Sequence, residues 1–197
     1  MQWSSTYELN SRLYVIALCL LNEIDLLGQP ADQVTPVRRK AMSIAETVHR
    51  YLAQHSISYD LEAHPHTGSS HETADAAHVR EDHIAKAVVV KDTCGYVMVV
   101  VPASNWVEMK HLNKELDRDF HLASEDELKT LFSDCETGAV PPLGPAYGIE
   151  TFLDESIMSL ANVYFEAGDH EELVHVGGED FKALLGGVRH GYYSQEH

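Results

Sequence analysis

One lysine stands where an apolar side chain is expected. Lys86 sits in Ile84-Ala85-Lys86-Ala87-Val88-Val89-Val90, a run that otherwise reads as a buried strand. Strand side chains alternate between faces. Ile84, Lys86, Val88 and Val90 therefore share one face, and Ala85, Ala87 and Val89 share the other. An isolated buried ammonium costs several kcal/mol or more unless it is paired. Two readings follow. Lys86 has a partner carboxylate or snorkels its stem to water, or it is a pocket lysine that receives an anionic ligand.

A second feature is the loop Gly138-Ala139-Val140-Pro141-Pro142-Leu143-Gly144-Pro145, with five glycines and prolines in eight residues. Proline fixes its own φ and donates no backbone hydrogen bond. Glycine lets a ligand approach the backbone closely. A stiff loop with a few free N–H groups can hold a carbonyl, a carboxylate or a phosphate. A rigid surface connection would use the same residues.

The chain has thirteen histidines, and His64, His66, His71, His78 and His83 fall within twenty residues. Their spacing is irregular and no H-E-x-x-H occurs. They read as solvated loop histidines, and no metal site is expected. The three cysteines, Cys19, Cys94 and Cys135, are widely spaced and form no C-x-x-C. That is neither a disulfide framework nor a zinc site, and it fits a reducing compartment.

The elements that must position these residues belong to an ordinary globular composition: 197 residues, 44% hydrophobic and 23% charged. The formal charge of -17 disfavours tight, non-specific binding to nucleic acid. Any polynucleotide contact must be local. The apolar run Leu13 to Leu21 is too short to span a membrane and lacks a cleavage site, so a cytoplasmic protein is expected.

A helix over about Tyr7 to Leu27 and a linker set residues 1–41 apart as an extension. Met42 opens a new unit, with Ser43 and Glu46 as a capping box. A strand from Ser58 to Ala63 follows, then a helix capped by Ser69 and Glu72. The Lys86 strand turns through Asp92-Thr93-Cys94-Gly95 into Tyr96 to Val101, which makes a hairpin. Trp106 to Leu116 reads as a helix, and Ser124 with Glu127 caps another. Strands are expected at Glu150–Leu153, Asn162–Glu166 and Leu173–Val176, then a helix from Asp180 to Leu185. Residues 188–197 read as a tail beyond a domain over 42–187. This irregular order predicts an α/β fold with a mixed, partly antiparallel sheet surrounded by helices.

Taken in order, these pieces resemble the YbaK/EbsC family, the free-standing relatives of the editing insertion domain of prolyl-tRNA synthetase. The resemblance rests on His64-Pro65, Thr73-Ala74-Asp75-Ala76-Ala77, Lys86 heading its strand, Val99-Val100-Val101-Pro102, Leu122-Ala123-Ser124, Gly138-x-x-x-Pro142, Leu153-Asp154-Glu155-Ser156 and Ala167-Gly168. It implies hydrolysis of the ester of mischarged aminoacyl-tRNA. It implies catalytic roles for Lys86, Gly138 and Asp154, with Lys86 on the phosphate at the 3′ end of the tRNA. Substrate contacts are implied for Ala139, Val140, Pro141, Pro142, Gly144 and Gly168, and no cofactor. The synthetase insertion also has a histidine near its final strands; His170 and His175 both lie in that region.

The residues agree with this chemistry. No G-x-S-x-G elbow occurs. An aminoacyl ester is already activated, so a positioned water, a polarised carbonyl and the substrate's own ribose hydroxyl suffice. Arg80, Lys86, Lys91, Lys110, Lys114 and Arg118 are expected to form one local patch for the acceptor end. A synthetase would supply further affinity; neither DNA nor a membrane is an expected partner. Two other readings stand beside the deacylase. One is a binding module of the same fold that holds an amino acid or aminoacyl-tRNA without hydrolysis. The other is a histidine-dependent metal protein.

Overall fold

The computed structural model describes residues 44–196. The extension over 1–41, Met42 and the expected cap Ser43 lie outside the described residues. The fold is α/β, as its sequence pattern predicts, with a mixed sheet surrounded by helices.

The architecture starts from one apolar run. Tyr96–Pro102, here β3, is the central strand of a five-stranded sheet. Met98 and Val100 enter one core cluster, while Val97, Val99 and Val101 enter a second on the opposite face. A strand buried on both faces has no position for a polar side chain, hence the near-continuous valines. β2 (Ala85–Lys91) pairs antiparallel with β3 through the expected four-residue turn. β5 (His121–Leu122) lies antiparallel outside β2; β6 (Glu150–Asp154) and β9 (Arg189–Gly191) run parallel on the other side of β3. A second sheet of three antiparallel strands has β8 (Glu172–Gly177) between β1 (Asp60–Ala63) and β7 (Asn162–Glu166).

Helices close both faces. α1 (Glu46–Gln54) and α5 (Gly178–Leu185) bury Val48, Leu52, Phe181 and Leu184 in the first cluster. α3 (Met109–Leu116) places Leu112 in the second. Ser69 caps α2 (Ser70–Ala77) by accepting the Glu72 N–H, and Ser124 and Glu127 form the full capping box of α4 (Glu125–Leu131). The first turn of α1 is served from a distance. Ala45 is its N-cap, and a distant carboxyl, Asp134, accepts the Thr47 N–H at 2.9 Å. A tertiary contact thus satisfies one of the orphan donors of the first turn.

Two further corrections concern the second half. The helix expected from Trp106 begins only at Met109; Asn105–Val107 is a short strand, β4. The segment read as a tail is built into the fold. It supplies β9 and also β10 (Ser194–Glu196), which pairs with β4 so that Gln195 faces Trp106. Tyr193, between them, is fully buried against Phe152.

The fastener for this segment is Asp154, only 3% exposed. Its carboxyl accepts from the Ser156 N–H at 3.0 Å and hydroxyl at 2.5 Å, the Tyr193 N–H at 2.8 Å and the Ser194 hydroxyl at 2.9 Å. Charge-assisted bonds of this kind are the strong ones, and their buried donors have no water to turn to. Asp154→Ala is therefore expected to cost about 3 kcal/mol or more. Urea unfolding measures it; an unchanged midpoint would show that the C-terminal segment holds without this carboxyl.

Candidate active site

Lys86 stands at the end of the row that carries Val88 and Val90, just where the second cluster stops. Its ammonium donates to two backbone carbonyls, Asn105 at 2.9 Å and Ala103 at 3.2 Å, and lies 5.4 Å from the centre of the Trp106 ring. The nearby acid, Glu81, acts on it through space only, and partial burial pulls the lysine below its ordinary value. An ammonium has three donors. Two are used on carbonyls, and the third has no acceptor among the described residues. Of the two sequence readings, the buried ion pair is absent from the described residues.

The carbonyl that holds Lys86 is itself held. Asn105 donates its side-chain amide to the Ser194 Oγ at 2.9 Å, and Ser194 donates to Asp154 at 2.9 Å. A continuous chain of hydrogen bonds thus runs from Asp154 to Lys86. Asp154, expected in the catalytic set, lines neither cleft described below and has its carboxyl saturated by internal donors. It belongs to the framework of Lys86, not to a surface that meets substrate.

Lys86 opens into a cleft of about 630 Å³ lined by Ser69, Ser70, His71, Glu81, Ala103 and Trp106. A neighbouring cleft of about 760 Å³ is lined by Thr67, Gly68, Cys135, Thr137, Gly138 and His170, among others. The continuous segment Thr67–Ser70 contributes to both and forms their shared rim. Lys86 and Gly138 therefore stand on opposite sides of one short loop.

Gly138 has φ +100°, and a Cβ there would meet the His170 ring at 3.3 Å. Both facts demand glycine. Its exposed N–H has no acceptor among the described residues. The rest of the Gly-Pro loop behaves differently from expectation. Ala139, Val140, Pro141, Pro142 and Gly144 are all buried, and Val140 and Leu143 enter the core. Gly144 is glycine because a Cβ would fall 2.0 Å from the Thr151 Oγ1. Gly168 packs on Ala45, whose Cβ would lie 2.8 Å from an added one. These residues are a foundation beneath the cleft, whose floor shows only Glu136, Thr137 and Gly138 of this region.

The two candidate histidines separate. His170 lines the Gly138 cleft, bonds the Thr137 carbonyl at 2.9 Å and sits 5.4 Å from the His66 ring. His175 is on β8, stacked on Tyr164 and near Asn162. Behind the rim lies a group that sequence reasoning passed over. His64, 7% exposed, leaves its Nε2 without a partner, as does the Glu166 Oε2. The Glu166 carboxyl is raised, chiefly by burial and against the pull of His170 and His64, and its other oxygen accepts from Thr73 at 3.3 Å. Only the H-P-H spacing at residues 64–66 hinted at this. Cys135 shares the Gly138 cleft, but burial pushes its thiol up to about 12, so it is no thiolate nucleophile near neutrality.

Half of the expected basic patch is neutralised. Asp82 holds Arg80, Glu127 holds Lys91, and Asp92 and Glu150 hold Arg118. Among the described residues no group of three or more His, Cys, Asp or Glu side chains is placed to hold a metal ion, and no helix is long and apolar enough to cross a membrane.

Residues 64–184 match the family of the aminoacyl-tRNA editing domain, a span of more than half the chain. The chain belongs to that family. Solved structures share its fold. Hypothetical protein APE2540 is 23% identical, with a TM-score of 0.66 over 76% of this chain and 100% of that one. A protein described as a candidate trans-editing enzyme for prolyl tRNA synthetase is 20% identical, with a TM-score of 0.66 over 79% of this chain and 98% of that one. A scaffold used for grafting linear epitopes is 18% identical, with a TM-score of 0.68 over 80% of this chain and 99% of that one. No curated protein matches the sequence.

Two outcomes follow from the geometry of this candidate site. Gly138→Val places a branched side chain against His170 at a positive φ, which is expected to cost about 1–3 kcal/mol and to abolish turnover. Full activity in that variant would show that substrate never approaches the loop. His71 and Glu81, paired on the rim of the Lys86 cleft, give a pH effect. The hydrogen bond His71 donates to Glu81, then the Glu81 charge, raises His71 above its ordinary 6.5. The pair's contribution is complete below that ordinary value and fades as pH rises through the raised one. NMR titration should find the His71 midpoint above 6.5 and Glu81→Gln should lower it; an unshifted midpoint in the parent would remove the pair.

Proposed function

We propose that this protein is a trans-editing aminoacyl-tRNA deacylase that hydrolyses the ester of mischarged tRNA. The observation that carries the reading is Lys86: a half-buried ammonium, fixed by two carbonyls, with its third donor turned over to a cleft. A residue held for internal pairing would meet a carboxylate. One held for an anionic ligand is fixed by neutral carbonyls, which leave its charge available. The family assignment, and a structural relative described as a candidate trans-editing enzyme for prolyl tRNA synthetase, support the same substrate class.

In this reading the terminal phosphate of the acceptor end meets Lys86. The aminoacyl group crosses the Thr67–Ser70 rim toward Gly138, whose N–H polarises the ester carbonyl. Water adds to that carbon, the bond to the ribose oxygen breaks, and the oxygen leaves as a ribose hydroxyl with the proton from the water. The neighbouring ribose hydroxyl assists the proton transfer. The products are the free amino acid and uncharged tRNA. Asp154, Ser194 and Asn105 act through Lys86 as positioning residues. Mischarged tRNA is the partner, with a synthetase to supply affinity that the acidic surface of the chain does not, and the reaction takes place in the cytoplasm.

Lys86→Ala tests this. No buried carboxylate is stranded by the change, so stability should move by no more than about 1 kcal/mol. Deacylation, assayed over a panel of mischarged tRNAs, should fall by at least ~100-fold, as one lost charge-assisted contact of about 3 kcal/mol implies. Hydrolysis at the parent rate would overturn the proposal. Tight binding of charged tRNA by the parent without any hydrolysis would favour a pure binding module.

A further inference from the structure

A carboxyl kept for structure is saturated with donors, as Asp154 is with its four. Glu166 is placed differently. It ends β7, where Val163 and Phe165 enter the first cluster, so Tyr164 and Glu166 share the opposite face. Tyr164 packs there with Ala74 of α2, Ile84 and Leu173, and Leu173 is the β8 partner of Glu166. Among the described residues the carboxyl has one hydrogen bond, from the Thr73 hydroxyl at 3.3 Å, and its buried Oε2 has none. Burial raises it, and Asp169 adds to the rise, while His170 and His64 pull the other way. Thr73 is fully buried, and its Oγ1 lies 2.7 Å from the Thr67 Oγ1. Thr67 lines the cleft that Gly138 also lines. Two hydroxyls thus join a buried acid to the space beside the Gly138 N–H.

A hydroxyl both accepts and donates, so a proton can shift along the two threonines without either being ionised. An acid that holds its proton more firmly than usual is suited to act as a base nearer neutrality. We propose that Glu166 is the proton acceptor of the hydrolysis, reached from the Gly138 cleft through the hydroxyls of Thr67 and Thr73. The inference rests on the deacylase reading and adds the base to it. As the water oxygen bonds the ester carbon, the water gives one proton to the Thr67 oxygen. Thr67 passes its own proton to Thr73, and Thr73 passes its own to the Glu166 carboxylate. The Thr73 hydrogen can then rest on the Ser69 carbonyl, 3.0 Å away. When the bond from carbon to the ribose oxygen breaks, its electron pair goes to that oxygen and the shift reverses. Thr67 protonates the ribose oxygen, Thr73 restores Thr67, and Glu166 restores Thr73. The carboxylate ends as it began, and only water and ester are consumed. Glu166 and Thr73 act through Thr67, as positioning residues for the proton.

The test is kcat against pH on a panel of mischarged tRNAs, with uncatalysed hydrolysis subtracted. A base must be ionised to work, so the parent rate should rise with pH through a midpoint above 4.5, the ordinary value of a glutamate. Glu166→Gln, an isostere, should lose that limb and about 100-fold in kcat, with KM and the thermal midpoint near the parent values. Thr67→Val should lose as much, and Thr67→Ser, which keeps the hydroxyl, should recover most of it. The imidazoles that act on Glu166 need their own controls. His64→Gln and His170→Gln should each keep the limb and move its midpoint up, because both rings favour the ionised carboxylate. A limb that vanishes with either histidine would assign it there and remove Glu166. Glu166→Gln at the parent rate would end the relay and leave the deacylase standing. A parent that hydrolyses none of the panel would end both.

Discussion

The structure turns on one buried carboxyl. Asp154 ends the parallel strand β6 and gathers four donors, two from the turn that follows it and two from the last ten residues of the chain. That capture brings β10 against β4. β4 in turn fixes the carbonyls that aim Lys86 and the strand that carries Trp106. The acid's influence on the cleft is thus transmitted through Ser194 and Asn105, with no contact of its own. A residue can matter to a reaction because of what it holds still.

The Gly-Pro loop illustrates the same division of labour. Its prolines and small residues are packed, not presented. Stiffness here is a property of the base on which Thr137 and Gly138 stand. Those two line the cleft together with Thr67, Gly68 and His170. Behind the rim, the unpartnered Nε2 of His64 and Oε2 of Glu166 lie in a region of low dielectric.

Much of the framework was legible in the sequence because its signals are local. The Val-rich run gave β3, the Asp92–Gly95 turn gave the hairpin, and Ser69 and Ser124 marked two helix starts. What escaped was set by distant partners. Nothing near Trp106 announces a strand, because its partner lies at residues 194–196. Nothing near Ser43 reveals that Asp134 does the work of a cap. In the site, Lys86 was visible as a charge in an apolar run and Gly138 as a glycine heading a stiff loop. Asp154 was visible too, but a strand-end acid looks the same whether it faces substrate or backbone N–H groups. Two of the six basic residues read as a patch, Lys91 and Arg118, are held by acids far off in sequence, which composition cannot show.

The pairing of β4 with β10 has a consequence for how the protein is made. A chain leaving the ribosome folds from its N-terminal end as residues become available. The sheet core needs only strands up to β6, and the three-stranded sheet is complete with β8. β4, however, has its partner at residues 194–196, so it stays a lone ribbon until those residues have been made. The cleft that holds the ammonium therefore matures after the strands that make up most of the two sheets. A nascent chain can thus hold most of its two sheets while the strand beside Lys86 still waits for its partner.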